Sequence, residues 1–334
     1  MPGPGHAFLK NAILIAAALL AGPIAAQASP GACLAPPPGA TVEARLEACN
    51  VALEASGPDR AGLFRARGDA LADLRQYERA IADYDRAAAL APRDATVVYN
   101  RALAWRRLER HDRAVEDYDR VIALQPDYAE AFNNRGFGHE TLDRLDRALA
   151  DYNEALRLRP DFWTALFNRG LVLHRLGDVD RALADYNRFV GAYPEDAVAV
   201  YMRGNDHVSK GDYERALADY DRALRLKPDF ALALARRGIA FHRRGLIDKA
   251  LDDYEAALKL QPDDAQTHFN RGNALASARR HEAAIEAYDR AIELNPTNGE
   301  ALLARGKAHR SRGDFGRART DIEAARQLGV VDRR

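Results

Sequence analysis

The chain has few cysteines, no excess of either charge, and no motif that marks chemistry. Two cysteines in 334 residues exclude a disulfide-dense scaffold and most cysteine-ligated metal sites. Forty-nine Lys and Arg cancel 49 Asp and Glu. The cationic excess that releases phosphate counterions is therefore missing, and nucleic acid is not an expected partner. There is no Gly-rich phosphate loop, nucleophile elbow or His-Glu helix motif. The short Asp-Tyr-Asp-Arg strings lack the glycine and the ligand spacing of a calcium loop. What the chain does have is a composition of 47% hydrophobic and 29% charged residues, which buries a core and excludes wholesale disorder.

Proline is absent from long stretches, and its distribution organises the chain. Eight of the 15 prolines lie in the first 58 residues. The others are Pro92, Pro126, Pro160, Pro194, Pro228, Pro262 and Pro296, each 34 residues from the next. Length alone would suggest about two domains, but a fixed period of this size marks a repeat architecture. With these prolines at unit position 32, eight units follow: 61–94, 95–128, 129–162, 163–196, 197–230, 231–264, 265–298 and 299–332.

Position 8 is glycine in seven units and Ala102 in the second, small enough for two helices to approach closely. Position 20 is always alanine, and position 24 is tyrosine from Tyr84 to Tyr288, then Ile322. Positions 20, 21, 24, 27 and 28 form an apolar stripe at helical spacing, as in Ala216, Leu217, Tyr220, Ala223 and Leu224. A first helix over roughly positions 2 to 14 precedes it. The intervening turn often carries glycine, as at Gly177, Gly211, Gly245 and Gly313. The position-32 proline stops the second helix because it has no backbone donor.

These units resemble the tetratricopeptide repeat family. The resemblance implies an all-α, right-handed solenoid of helix-turn-helix units. It also implies a concave groove, lined mainly by first helices, that holds peptides or proteins, with neither enzymatic activity nor a cofactor. Self-association is common in the family.

The two ends differ from the repeats. Residues 1–28 read as a secretory signal: Lys10, an apolar run from Ala12 to Ala21 that is short for a membrane span, a Gly22-Pro23 break, then Ala26 and Ala28. Residues 29–60 read as an extended arm and a capping helix with Val42, Leu46, Cys49 and Leu53 on one face. The helix resembles a lone second helix with Cys49 in the tyrosine position. In an oxidising compartment a Cys33–Cys49 disulfide pins arm to cap, contributing about 3 kcal/mol for a loop of this size. The competing reading is a lipidated Cys33, the one route by which a membrane becomes a partner. Exported bacterial proteins with such repeats have a similar Cys33, Ala48-Cys49, Ser56-Gly57 arrangement, so a periplasmic or secreted location is expected. At the other end Arg319 and Arg326 replace apolar stripe residues, which reads as a polar terminal face with no ninth repeat.

Four features are candidates for function. Position 7 is arginine in all eight units, and position 23 is aspartate in all but the seventh, which has Ala287. They sit at similar heights in an antiparallel hairpin, so they read as a structural ladder, with a cationic stripe as the alternative. Asn100, Asn134, Asn168 and Asn270 occupy position 6. Exposed amides there bind a peptide backbone without regard to sequence, with packing between adjacent first helices as the alternative; the resemblance implies the peptide-binding role, because O-linked N-acetylglucosamine transferase holds peptides on such asparagines. Tyr99, Phe167, Tyr201 and Phe269 at position 5 are either aromatic anchors or packing between first helices. The two-carboxylate clamp of chaperone-binding relatives is not matched, because Arg65, Asp69, Asn100, Glu130 and Asn134 fill its places. Histidines recur at positions 11 and 12 without ligand spacing, and they read as part-buried aromatics, with neither metal nor catalysis expected. The sequence thus predicts a non-enzymatic adaptor or chaperone of the bacterial cell envelope. The alternative is a lipoprotein that supports outer-membrane or secretion machinery.

Overall fold

The computed structural model describes residues 30–55 and 59–330. The expected signal segment lies outside them. The described residues form eighteen helices and no strand, and none of the helices is long and apolar enough to cross a membrane. A short α1 (Pro30–Leu34) and α2 (Val42–Glu54) precede the first repeat, α3 (Arg60–Asp73) and α4 (Tyr77–Leu90). The pattern continues through α5 (Ala95–Arg107), α6 (His111–Leu124), α7 (Ala129–Thr141), α8 (Leu145–Leu158), α9 (Trp163–Leu176) and α10 (Val179–Ala192). It ends with α11 (Ala197–Ser209), α12 (Tyr213–Leu226), α13 (Ala231–Arg243), α14 (Ile247–Leu260), α15 (Ala265–Ser277), α16 (His281–Leu294), α17 (Gly299–Ser311) and α18 (Phe315–Gln327). The chain divides into two compact units, one up to Asn168 and one from Arg169.

Local chemistry sets the boundaries. First helices begin where Asp94, Asp196, Asp264 or Asn298 turns its side-chain oxygen onto a free first-turn amide, as in Asp196 to Ala199 at 2.8 Å. Second helices end at position 30, two residues before the proline. The residue between leaves the helical region, as at Arg159 with an extended φ of −138° and ψ of 93°, because a following proline ring disfavours that region. At position 15 every repeat needs a left-handed residue. Glycine supplies it at Gly177, Gly211, Gly245 and Gly313, whereas Arg75, Glu109, Asp143 and Arg279 adopt φ near 58° without that freedom.

The joint inside each hairpin is the tyrosine of the second helix against position 8 of the first. All seven tyrosines are at most 1% exposed. A Cβ added to Gly272 would lie 2.5 Å from a ring carbon of Tyr288, and one on Gly238 2.7 Å from Tyr254. In these repeats glycine leaves the space that the ring occupies, whereas the second repeat fits Tyr118 beside Ala102.

At the N-terminal end, residues 30–34 form one helical turn instead of the extended arm that the sequence suggests. A disulfide joins Cys33 in α1 to Cys49 in α2, with both cysteines fully buried. The face of α2 that packs on α3 is Ala48, Cys49, Ala52 and Leu53, while Val42 and Leu46 are only half-buried. Arg60 donates to the Leu53 carbonyl at 3.3 Å, which ties the cap to the first repeat. On α18, Arg319 and Arg326 are exposed.

Candidate functional site

The arginines of position 7 hold the repeats together. In seven repeats Nε and Nη2 of the arginine donate to the two oxygens of the position-23 aspartate, as in Arg67–Asp83 (2.6 and 2.8 Å) and Arg169–Asp185 (2.7 and 2.7 Å). The aspartates are almost fully buried, and such forked pairs fix geometry as well as charge. The third nitrogen reaches back one repeat to position 25: Arg101 to Asp85 at 2.6 Å, Arg135 to Asp119 at 2.6 Å, Arg305 to Asp289 at 2.7 Å. Each of these arginines is therefore both an internal clamp and a link to the preceding repeat. These bonds hold Arg101, Arg237 and Arg305 charged, well above the ordinary arginine range. The cap takes part too, because Arg67 reaches Asn50 of α2 at 3.2 Å, so α2 stands where a preceding second helix would. In the seventh repeat Ala287 removes the carboxylate, and Arg271 lacks this clamp.

The opposite side of each hairpin, the face of the first helices, carries the position-5 and position-6 side chains. In the N-terminal unit they bind one another. Asn100 donates to Asp69 at 2.8 Å, and the same carboxylate oxygen accepts from Tyr84 at 2.9 Å. Asn134 is buried. It donates to the Tyr99 hydroxyl at 2.8 Å and accepts from Arg106 at 3.2 Å and Asn133 at 3.3 Å. Asn168 donates to Asn133 at 3.4 Å. In the C-terminal unit, Asn270 is half-buried and accepts from Gln266 at 3.2 Å.

The aromatics pack as well as line. Tyr99 lies against Tyr128 and Tyr118, with ring centroids 5.0 and 5.9 Å away, and burial pushes its hydroxyl up to about 12. Tyr201 is 5% exposed between Tyr220 and Phe230. Phe269 rests on Tyr288 at 6.0 Å. Phe167 is half-buried on α9. A cleft of about 600 Å³ opens on this face between α3 and α5, lined by Asp69, Asp73, Arg75, Tyr84, Asn100 and Arg107.

Two arrangements on this face were not read from the sequence. Position 9 serves the buried tyrosine: Tyr84 donates to Asp69, Tyr220 to Asn205 and Tyr288 to Asn273, all at 2.8–2.9 Å. Where position 9 is Leu103 or Ile239, the hydroxyl of Tyr118 or Tyr254 has no partner among the described residues. A polar residue fifteen positions before the tyrosine was the available signal. The second arrangement is His174, whose Nδ1 lies 2.5 Å from Oδ1 of Asp206 in the next first helix. Asp206 is wholly buried, and its other oxygen has no partner among the described residues. The hydrogen bond raises the His174 imidazole above its usual value, against the field of Arg236, whereas burial lowers His139, His207 and His242. No group of three or more metal-ligating side chains occurs among the described residues.

Antiparallel helix pairs, seven of them joined by a small residue under a tyrosine and several clamped to the pair before, define a helix-pair repeat protein whose first helices share a face. The tetratricopeptide repeat model matches residues 65–129, 139–197, 201–265, 243–299 and 269–329, and the chain belongs to that family. No curated protein matches the chain. Similar solved structures include a tetratricopeptide repeat protein from Parabacteroides merdae, 21% identical with a TM-score of 0.60 over 71% of this chain and 94% of that one. Another is the C-terminal part of a repeat protein from Cytophaga hutchinsonii, 18% identical with a TM-score of 0.58 over 72% of this chain and 98% of that one. A third is YrrB, described as a protein with an unusual peptide-binding site, 27% identical with a TM-score of 0.47 over 57% of this chain and 98% of that one. Proteins of this fold typically act as non-enzymatic scaffolds for peptide or protein partners.

Proposed function

We propose that the protein is an exported scaffold, an adaptor or chaperone of the bacterial cell envelope, that holds a peptide or protein partner on the face of its first helices. The observation that carries this reading is the division of labour between the two faces. Seven of the eight position-7 arginines are consumed in building the stack, while the first helices present part-exposed amides and aromatics, including Asn100, Asn168, Asn270 and Phe269. Such groups bind an extended backbone without demanding one sequence. Export is supported by the character of residues 1–28 and by the buried disulfide, which persists in an oxidising compartment.

Photo-crosslinking residues placed at Asn270 or Asn100 should capture the same cellular proteins, and residues placed on second helices at Arg120 or Glu286 should not. Equal capture from both faces would sink the reading. The intact mass of the purified protein tests the export half: it should lack residues 1–28 and gain a pair of hydrogens on reduction. A diacylglycerol adduct on Cys33 would replace the soluble scaffold with the lipoprotein alternative, because that sulfur cannot be in both bonds.

A further inference from the structure

We propose that the first-helix face of the C-terminal unit binds an acidic, extended polypeptide segment; this rests on the scaffold reading above and names its ligand. Contacts between successive first helices involve positions 5, 6, 9, 10, 12 and 13, as in Asn134–Tyr99, Asn100–Asp69, His174–Asp206 and His242–Ser277. Those positions, with position 2, mark the face. From Arg169 onward positions 2, 5, 6, 9, 12 and 13 carry Arg175, Arg236, Arg243, Lys307 and Arg310 against a single carboxylate, Glu300. The one other acid there, Asp206 at position 10, is wholly buried behind His174. Arg236, Arg243 and Arg310 are exposed. None of the three takes part in an ion pair among the described residues, where such pairs link other arginines, Arg244 to Glu214 and Arg312 to Glu282 among them.

The neutral polar groups point the same way. Tyr220 and Tyr288 donate to the side-chain oxygens of Asn205 and Asn273, and Gln266 to that of Asn270. With the oxygens engaged, each of these asparagines has its NH2 left to offer, and among the described residues the Asn205 NH2 meets only the Met202 sulfur at 3.9 Å. The face is therefore rich in donors and poor in acceptors, and it calls for a ligand rich in acceptors and negative charge. A single-stranded nucleic acid would satisfy the charge, but such binding relies on open aromatic platforms. Here Tyr201 is buried and Phe269 is packed on Tyr288. A chain of carboxylates and backbone carbonyls satisfies both charge and donors.

The test is fluorescence anisotropy on the full exported chain with a labelled peptide of alternating Glu and Ser, its Gln and Lys counterparts, and oligo-dT. The Glu peptide should bind best and weaken as salt rises from ~50 to ~200 mM. Arg236→Gln, Arg243→Gln and Arg310→Gln together should weaken it roughly tenfold, at a few-fold per exposed charge pair. The same charge removed from second helices, Arg113→Gln, Arg215→Gln and Arg317→Gln, should leave affinity within about twofold and serves as the folded control. Equal binding of the Gln peptide overturns the acidic ligand while leaving peptide binding intact. Tighter binding of oligo-dT replaces the ligand class. An affinity lost with the second-helix variant and kept with the first-helix one overturns the location. Binding of no peptide overturns the inference, and the crosslinking comparison then decides the scaffold reading by itself.

Discussion

The two units are built from the same 34-residue pattern and spend their variable positions differently. In the N-terminal unit the first-helix face carries charges of both signs, and several of them are bonded by other side chains of the same unit. Glu130 accepts from Arg159 at 2.8 Å, Glu140 from Tyr152 at 3.0 Å, and Asp69 from Asn100 and Tyr84. Arg106 is held by Asn134 and lies over Phe137. This unit also has the disulfide-bonded cap and three of the four non-glycine left-handed turns, Arg75, Glu109 and Asp143. In the C-terminal unit three of the four turns after Gly177 are glycine and the face is cationic, with Arg236, Arg243 and Arg310 in no ion pair among the described residues. The positions that build the hairpin hardly vary between units, so what distinguishes them lies on the face the hairpin leaves free.

The largest expected difference concerns the cap. Changing Cys33→Ser and Cys49→Ser together should cost the N-terminal unit about 3 kcal/mol. Because repeats couple chiefly to their neighbours, hydrogen exchange should accelerate in α3 to α5 and stay unchanged in α15 to α17. Uniform acceleration along the chain would mean that the units do not differ in what anchors them.

A second contrast sits inside the C-terminal unit. Asp206 is a buried carboxylate with one unsatisfied oxygen, at a position where Ala70, Ala104, Ala240, Ala274 and Ala308 stand in other repeats. Its bond raises the folded-state value of His174 above the ordinary value of about 6.5. The pair therefore stabilises the fold fully below about pH 6.5, and that contribution is lost as pH rises through the raised value. Above it, an under-satisfied carboxylate remains. Asp206→Ala should accordingly stabilise the protein by about 1–2 kcal/mol near pH 8, with a smaller gain near pH 5.5. It should also lower the NMR titration midpoint of His174. Destabilisation at pH 8, or an unmoved midpoint, would show that the pair is not under-satisfied.

Most of the scaffold was legible because it recurs. The 34-residue proline period, the alanine at position 20, the tyrosine at position 24 and the pairing of arginine at position 7 with aspartate at position 23 repeat often enough to be read as geometry. Single features were not legible. Asp206 occurs once, and only the adjacent first helix reveals His174 beside it. Asn134 reads as an exposed amide from its position, but Arg106 and Tyr99 reach across from the preceding repeat and cover it. The backward arm of the ladder was hidden because its acceptor varies among Asp85, Asp119, Asn187 and Asp221. Repetition reveals what lies within a repeat, whereas a contact between successive repeats that occurs once, such as His174 with Asp206, has no such signal.

The buried tyrosines refine the comparison at about 1 kcal/mol. Tyr118, in the N-terminal unit, has a hydroxyl without a partner among the described residues, so Tyr118→Phe should be neutral or slightly stabilising. Tyr220, in the C-terminal unit, donates to Asn205, and Tyr220→Phe should cost about 1 kcal/mol by leaving that oxygen without its donor. Equal midpoints in chemical denaturation for the two variants would remove position 9 from the account.

The smallest effect tests the turns. Glu109 adopts φ 59° where Gly211 and Gly245 adopt 75° and 77°. A left-handed residue with a Cβ costs roughly 1–2 kcal/mol, partly offset by the greater entropy that glycine loses on folding. Glu109→Gly should therefore stabilise the N-terminal unit by about 0.5 kcal/mol, while the reverse change, Gly245→Glu, should destabilise the C-terminal unit by a similar amount. If Glu109→Gly were destabilising, the left-handed side chain would be contributing contacts that outweigh its strain. The N-terminal unit would then owe its non-glycine turns to packing, and the difference between the units would extend from their faces into their hairpins.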